Sequence, residues 1–221
     1  MSLTYKEAGV DIEAADAFVQ RIGKLARSTH GPGVVPHRTE YASLFRPDLG
    51  GMQDPLIAAT CDGVGTKLLV AREMGKYTGL GQDLVGMNVN DLLPSGARPL
   101  LFLDYIATGK LDPDALTAVV DGMARACRDA GCALLGGETA EMPGVYAAGE
   151  FDLAGFAVGL VDGARIPDLG AVAVGDQVLA LPASGVHSNG LSLARKALLE
   201  RGGLHLTDAP QGLTQCLGDE L

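Results

Sequence analysis

The sequence has no tryptophan, and it has only 4 cysteines among its 221 residues. So few cysteines exclude a small disulfide-stabilised scaffold, and we predict reduced thiols in or near the core. Cys127 and Cys132 are too far apart for a zinc knuckle and have no histidine near them, so a zinc site is not expected. No run reaches the roughly 18 consecutive apolar residues that span a bilayer, and the N-terminus lacks the basic and apolar regions of a signal peptide.

Positive charge is also scarce, since 17 Lys+Arg stand against 27 Asp+Glu and give a formal net charge of −10. No segment gathers basic side chains into a stripe that could neutralise a phosphate backbone, so nucleic acid is not an expected partner. Hydrophobic residues make up 47% of the chain, an ordinary value for a globular protein. We therefore predict a folded cytoplasmic protein with no membrane and no nucleic-acid partner.

Local patterns predict three helices. Residues 11–28 place apolar side chains at steps of three and four, which makes one apolar stripe. A second helix begins with Asp112 as N-cap and Pro113 in its first turn, and it stops at Gly131. A third is expected over residues 191–201.

Short apolar segments bounded by glycine and proline predict buried strands between these helices. They are residues 55–63, 99–109, 151–161 and 177–185. Strands that alternate with helices indicate an α/β or α+β fold. Glycines cluster at the strand ends, where they favour either an anion site or simple tight turns.

The segment DGVGTK, residues 62–67, follows one of these strands and opens a helix. It places a carboxylate, open backbone amides, a hydroxyl and an ammonium group around one helix N-terminus, where phosphate and Mg²⁺ would fit. Neither a GxxxxGK[ST] loop nor a GxGxxG fingerprint occurs in the chain, which disfavours the usual nucleotide folds.

Polar side chains interrupt the apolar helix that is expected over residues 81–92. Asp83, Asn88, Asn90 and Asp91 must be hydrogen-bonded, solvated or holding a cation, because burial of an unpaired carboxylate is costly. Capping of a neighbouring helix is the alternative interpretation.

Residues 136–144 form an expected loop that carries Glu138, Thr139 and Glu141. With Asp62 and Asp91 these side chains make an oxygen-rich set of the kind that Mg²⁺ prefers. Solvated loop acids are the alternative.

A further polar constellation occupies residues 184–190. His187 could orient or protonate a substrate, while Ser188 and Asn189 could bind a phosphate or an amide or could merely cap the following helix.

Asp104 interrupts an apolar strand and requires either a structural partner or a substrate contact.

Seven segments occur in order along the chain: YKEAGVDI (5–12), DGVGTK (62–67), GQDLVGMNVNDL (81–92), PLLFLDYIATGKLD (99–112), GGETAEMPGVY (136–146), LAGFAVG (153–159) and SGVHSNGLSLARK (184–196). Taken together, these segments resemble the motifs of the aminoimidazole ribonucleotide synthetase family, also called phosphoribosylformylglycinamidine cyclo-ligase. Selenophosphate synthetase, hydrogenase-maturation protein E and thiamine monophosphate kinase belong to the same superfamily.

The resemblance implies that ATP phosphorylates the formyl amide oxygen of formylglycinamidine ribonucleotide, after which the amidine nitrogen closes the imidazole ring. It implies roles for particular residues. The metal ligands would be Asp62, Asp91 and Glu138, and the catalytic residues would be Lys67, His187 and Asn189. The nucleotide would also meet Lys6, Gly63, Val64, Gly65, Thr66, Asp83, Gly137, Thr139, Glu141 and Ser188.

The implied fold has an N-terminal α/β domain whose four-stranded, mainly antiparallel sheet is flanked by helices and forms a barrel across a homodimer. Residues 1–13 would be a mobile nucleotide lid, 14–170 the ATP-binding and dimerisation domain, and 171–221 the beginning of a truncated C-terminal α/β domain. Three departures from the family pattern stand out, one of which is that the chain ends at Leu221, shortly after the first helix of the second domain. Residues 34–51 replace a glycine-rich stretch, and Cys61 stands where threonine is usual. Because the chain ends soon after residue 201, a nucleotide-binding or dimerising fragment without activity is the alternative, as is a sister enzyme of the superfamily.

Overall fold

A computed structural model of the protein describes residue 5 and residues 8–36 and 42–221. The strands are β1 (Val34–Val35), β2 (Leu44–Phe45), β3 (Pro55–Gly63), β4 (Arg98–Thr108), β5 (Ala133–Glu141) and β6 (Phe151–Asp162). The helices are α1 (Ile12–Arg27), α2 (Lys67–Met74), α3 (Thr78–Leu92), α4 (Pro113–Ala130), α5 (Leu191–Arg195) and α6 (Leu217–Glu220).

The two longest predicted helices begin and end where their capping residues indicate. Asp11 precedes α1 and accepts a hydrogen bond from the Ala14 amide at 3.2 Å. Asp112 caps α4 by accepting from two amides of its first turn, and Gly131 ends the helix in the left-handed conformation with φ of 68°. The third predicted helix is also confirmed, although α5 continues as a π-helical segment over Lys196–Arg201.

The main sheet has four strands in the order β3-β6-β4-β5. The pairs β3–β6 and β6–β4 are antiparallel, whereas β4 and β5 run parallel and are joined through α4. The register aligns Asp62, Gly155, Asp104 and Gly137 in one row across the sheet. Such a row places side chains from distant parts of the sequence on the same level of the sheet.

Helices α3 and α4 cover one face of this sheet, and α1 packs against α4 and β5. The two covering helices approach closely because each has a glycine at the crossing. A methyl group on Gly81 of α3 would overlap the Val119 carbonyl of α4, and one on Gly122 of α4 would overlap the Thr78 carbonyl of α3. The core between helices and sheet includes the fully buried rings of Phe18 and Phe102. Burial of these apolar side chains is the main force that holds the layers together.

The other face of the sheet keeps large apolar side chains exposed. Ile57 on β3 is 75% exposed, and Phe156 on β6 and Tyr105 on β4 remain partly exposed as well. Cys61 lies on β3 and is exposed, which corrects the expectation of a thiol in or near the core. Cys127 and Cys132 are buried and free, as predicted. Alternation along β3 explains the position of Cys61, since Thr60 and Asp62 face the helices.

The predicted strand over residues 177–185 is wrong. This segment has no regular structure, and Val178 and Leu181 are each 94% exposed. An apolar run becomes a strand only when a neighbouring strand takes up its backbone hydrogen bonds, and the described part of the chain offers it none.

The residues after this segment build a second, smaller core. Leu191, Leu206, Leu217 and Leu221 pack on Val70 of α2 and on its neighbours.

No helix in the described residues combines the length and apolar character needed to cross a lipid bilayer.

Candidate functional site

The end of β3 and the last turns of α3 bring two of the predicted carboxylates into one region. Thr60 and Asp62 point to the same face of β3, and the Thr60 hydroxyl donates to Oδ2 of Asp91 at 3.3 Å. Oδ1 of Asp62 accepts from the Gly63 amide at 2.7 Å. Asp91 is exposed and Asp62 half-buried, so oxygens of both remain available to a cation or to solvent.

Asn88 lies one helical turn before Asp91 and is completely buried. Its Nδ2 donates to the Leu84 carbonyl at 2.9 Å and to the Asp62 carbonyl at 3.4 Å, while its Oδ1 has no partner among the described residues. The amide fits there because the facing residue of β6 is Gly155, where a Cβ would lie 2.7 Å from Nδ2. Asn88 therefore ties α3 to the backbone at the start of the segment 62–67.

The loop between β3 and α2 holds backbone groups open at the helix N-terminus. Val64 is buried and anchors the loop, and Gly65 adopts φ of 66°. No side chain caps α2, because the Thr66 hydroxyl lies 3.0 Å from Oγ of Ser192 on α5 instead. The uncapped amide end favours an anion.

Lys67 is held in place by two contacts. Its ammonium forms an ion pair with Asp83 at 2.9 Å and donates to the Val186 carbonyl at 3.1 Å. Only 14% of its side chain and 22% of that of Asp83 are exposed, so the pair is sheltered from solvent. Lys67 thus joins α2, α3 and the segment 184–190.

The segment 184–190 lies next to the loop 62–67, but most of its own side chains are open to solvent. Nε2 of His187 lies 3.1 Å from Oγ of Ser184, and both residues are exposed. The interpretation of Ser188 or Asn189 as the cap of α5 is wrong, because Gly190 occupies that position with φ of 87°. Those two side chains remain free for other roles.

The polar residues of segment 136–144 do not lie in the loop that the sequence analysis predicted. Glu138, Thr139 and Glu141 belong to strand β5 and not to a loop. Strand β5 is three positions from β3 in the sheet, roughly 14 Å at about 4.8 Å per strand. Within one chain Glu138 is therefore not brought to Asp62 and Asp91, and no three His, Cys, Asp or Glu side chains in the described ranges form a metal-binding group.

Glu141 has a structural contact of its own. Oε1 accepts from the Leu111 amide at 2.8 Å, whereas Oε2 is buried and has no partner in the part of the chain that the structure describes. Lys6 lies outside the described residues, and so do residues 37–41, which belong to the stretch that replaces the family's glycine-rich segment and include His37, Arg38 and Glu40.

Asp104 is the most perturbed acid of the described residues. Burial, more than any other cause, raises the pKa of its carboxyl from 3.8 to about 7. Its own backbone amide lowers the pKa, and the nearby Glu138 carboxylate raises it. A carboxyl of this kind exchanges its proton near neutral pH.

Sequence reasoning missed Thr60 and Ser192, whose hydroxyls contact Asp91 and Thr66. Thr60 stands two residues before Asp62, so strand alternation places both on one face and could have identified it. Nothing local in the sequence pointed to Ser192, because its partner is more than a hundred residues away.

A family model described as "AIR synthase related protein, N-terminal domain" matches residues 42–161. Proteins named phosphoribosylformylglycinamidine cyclo-ligase from Oleidesulfovibrio alaskensis and Myxococcus xanthus are each 54% identical to this chain, over 98% and 100% of its length. The chain spans 62% and 64% of those two relatives.

Among solved structures, a thiamine-monophosphate kinase from Stenotrophomonas maltophilia superposes with a TM-score of 0.61 at 21% identity, covering 89% of this chain and 56% of that one. This likeness shows a shared fold. Since the family model covers more than half of the chain, the chain belongs to the AIR synthase related proteins and contains their N-terminal domain.

Proposed function

We propose that this chain is the N-terminal part of an ATP-dependent cyclo-ligase that converts formylglycinamidine ribonucleotide to aminoimidazole ribonucleotide, ADP and phosphate in purine synthesis. The observation that carries the proposal is the 54% identity, over the whole chain, to relatives named phosphoribosylformylglycinamidine cyclo-ligase. We place the reaction in the cytoplasm, and the whole enzyme's activity and substrates are part of the proposal.

The reaction requires a poor leaving group, an amide oxygen, to become a phosphate ester before the amidine nitrogen attacks. The protein must neutralise the charge of the triphosphate and hold two reacting atoms together. The uncapped N-terminus of α2 and the backbone of Gly63–Gly65 suit the phosphates. Lys67 would contribute its charge from the position fixed by Asp83 and Val186.

Mg²⁺ fits the pair formed by Asp62 and Asp91. Proteins usually hold this ion through one or two carboxylates, and phosphates and water complete its shell. Asp91 contacts Thr60, which lies on the same face of β3 as Asp62, and neither carboxylate is fully buried. Glu138 is not a ligand of this ion within one chain.

His187, Ser188 and Asn189 are assigned to the ribonucleotide because their segment contacts the loop 62–67 through Lys67, and because His187 and Asn189 are exposed and Ser188 is half-buried. The predicted nucleotide contacts of Gly137, Thr139 and Glu141 stay a proposal, although within one chain their strand β5 lies apart from β3 and the loop 62–67. A boundary near residue 170 between the N-terminal domain and the beginning of a C-terminal domain is part of the proposal. The separate core around Leu191 and Leu217 supports it.

A homodimer would cover the exposed face of the sheet. Ile57, Phe156 and Tyr105 all leave apolar surface exposed on this face, and exposed apolar surface is typical of an interface with another protein. An Ile57→Asp variant should therefore be monomeric by sedimentation equilibrium where the parent is dimeric. Labelling of Cys61 by a thiol reagent should slow as the parent protein is concentrated, and an unchanged rate would refute this interface.

The decisive assay is phosphate release from ATP with formylglycinamidine ribonucleotide as substrate, using a protein that carries this chain at the full length of its relatives. Asp62→Asn and Asp91→Asn should each weaken binding of Mg-ATP by about tenfold or more, since one ligand of a doubly charged ion is lost. Asp129→Asn, which neutralises an exposed acid on α4, is the matched control. Unchanged Mg-ATP affinity in both variants would exclude the metal assignment, and absence of phosphate release would exclude the reaction.

The alternative is that the 221-residue chain by itself binds nucleotide or dimerises without turnover. A comparison of this chain with the longer protein separates the two possibilities. Equal turnover would contradict the alternative, whereas retained nucleotide binding without turnover would support it.

A further inference from the structure

Two cysteines, Cys127 and Cys132, are brought together by the turn that ends α4. Gly131 takes positive φ, and its amide donates to the Arg128 carbonyl at 3.1 Å. The Cys132 amide donates to the Cys127 carbonyl at 2.9 Å. This pair of hydrogen bonds is a common helix ending, in which the side chains of the two outermost residues pack against each other. In this chain both outermost residues carry thiols.

The backbone of this turn suits a disulfide. Because the Cys132 nitrogen lies 2.9 Å from the Cys127 oxygen, ordinary bond lengths keep the two Cα atoms no more than about 6.8 Å apart. The Cα atoms of disulfide-bonded cysteines lie about 4.4 to 6.8 Å apart. A bond between the two sulfurs therefore requires little movement of the backbone.

Each thiol is the strongest influence on the pKa of the other. A hydrogen bond from the Cys127 thiol to the Cys132 sulfur raises the pKa of Cys127 and lowers the pKa of Cys132. Asp104 and Arg128 act on Cys127 as well, but more weakly. Cys132 is thus the sulfur that ionises first, and a thiolate is the nucleophile in thiol oxidation.

Both thiols are buried, but they lie directly beneath an exposed turn. Cys127 is 0% exposed and Cys132 is 3% exposed. Residues 128, 129 and 131 of the same turn are exposed. A bulky oxidant such as a glutathione disulfide is kept from either sulfur by this burial, whereas hydrogen peroxide is close to water in size and the last turn of a helix opens readily. The site therefore selects a small hydroperoxide.

We propose that Cys127 and Cys132 form a redox modification site, at which a small hydroperoxide produces an intramolecular disulfide. The Cys132 thiolate attacks one peroxide oxygen, the O–O bond breaks, and Cys132 becomes a sulfenic acid while the released hydroxide takes up the thiol proton to form water. The Cys127 sulfur then attacks the Cys132 sulfur, the S–S bond forms, and the hydroxyl group leaves with the Cys127 proton as a second water. Two thiols are oxidised, and one peroxide is reduced to two waters.

The contact between the thiols also determines which product forms. The sulfenic acid on Cys132 is consumed by Cys127 within the same turn, before a second peroxide can reach a buried sulfur. Oxidation should therefore stop at the disulfide and should be reversed by dithiothreitol.

The test uses the double variant Cys61→Ser, Cys216→Ser, which retains only the two cysteines of the pair. The folded protein is treated with hydrogen peroxide at pH 7, remaining thiols are blocked under denaturing conditions, and tryptic peptides are identified by mass spectrometry. Trypsin cuts after the arginines at 125, 128 and 165, so the two thiols fall in peptides 126–128 and 129–165. Most of the protein should yield these two peptides joined by a disulfide that dithiothreitol separates.

Adding Cys127→Ala to the double variant provides the control. Cys132 should then proceed to sulfinic acid, because the sulfur that would consume its sulfenic acid is missing. Two blocked thiols after treatment, or sulfinic acid on Cys132 while Cys127 is present, would overturn the proposal. If the control variant does not fold, the joined peptides decide the matter in the double variant or in the parent chain. The assay needs neither ATP nor the ribonucleotide, so its failure is distinguishable from failure of the proposed cyclo-ligase function.

Discussion

Replacement of Asp104 by asparagine should change how the stability of the protein depends on pH. In the unfolded chain this carboxyl has an ordinary pKa of 3.8, and in the folded protein burial raises the pKa to about 7. Below pH 3.8 both states carry the proton and the group has no effect. Between about pH 4 and pH 7 the unfolded chain ionises first, so the folded protein loses stability as the pH rises.

The magnitude follows from the two pKa values. A change of one pKa unit corresponds to about 1.4 kcal/mol, so the change from 3.8 to about 7 costs the folded protein at most about 4 kcal/mol at neutral pH. Asparagine has nearly the same shape but does not ionise, so this dependence disappears in Asp104→Asn.

The free energy of unfolding should be measured by urea denaturation at several pH values from 4 to 8. The difference between parent and Asp104→Asn should shift with pH by several kcal/mol in favour of the variant, while Asp129→Asn runs parallel to the parent. Parallel curves for parent and Asp104→Asn would show that the buried carboxyl does not retain its proton, and the reasoning would fail.

Two further substitutions test the contacts that build the site. Gly122→Ala should lower the free energy of unfolding by about 2 kcal/mol or more, because the added methyl group overlaps the Thr78 carbonyl where α3 and α4 cross. Gly86→Ala on α3 has open space around the new methyl group and should be neutral or stabilising, so equal effects in urea denaturation would contradict the close crossing. Asn88→Leu should weaken Mg-ATP binding about tenfold without a matching loss of thermal stability, because the Asp62 carbonyl loses its donor. Asn90→Leu is the exposed control, and equal nucleotide affinities in the two variants would show that Asn88 does not position the loop.

The sequence alone determined the features that depend on neighbouring residues. Asp11 and Asp112 cap their helices because a short carboxylate reaches amides two or three residues ahead, and Gly131 ends α4 because it accepts positive φ. Strand β3 was predicted over the residues it occupies, since its apolar run ends at glycine. The motif 62–67 was also recognised as the opening of a helix, because a strand, a glycine loop and a helix follow one another within a few residues.

The tertiary structure decided everything that depends on strand order and on distant partners. The sheet order places β5 far from β3, which separates Glu138 from Asp62, and no local signal encodes that order. Among the described residues no strand pairs with residues 177–185, and residues 177–184 are exposed in spite of their apolar composition. Asn88 against Gly155 and Lys67 between Asp83 and Val186 are contacts between residues far apart in the sequence. Such contacts form only when the layers pack, because burial of a polar group requires a partner in space rather than a neighbour in sequence.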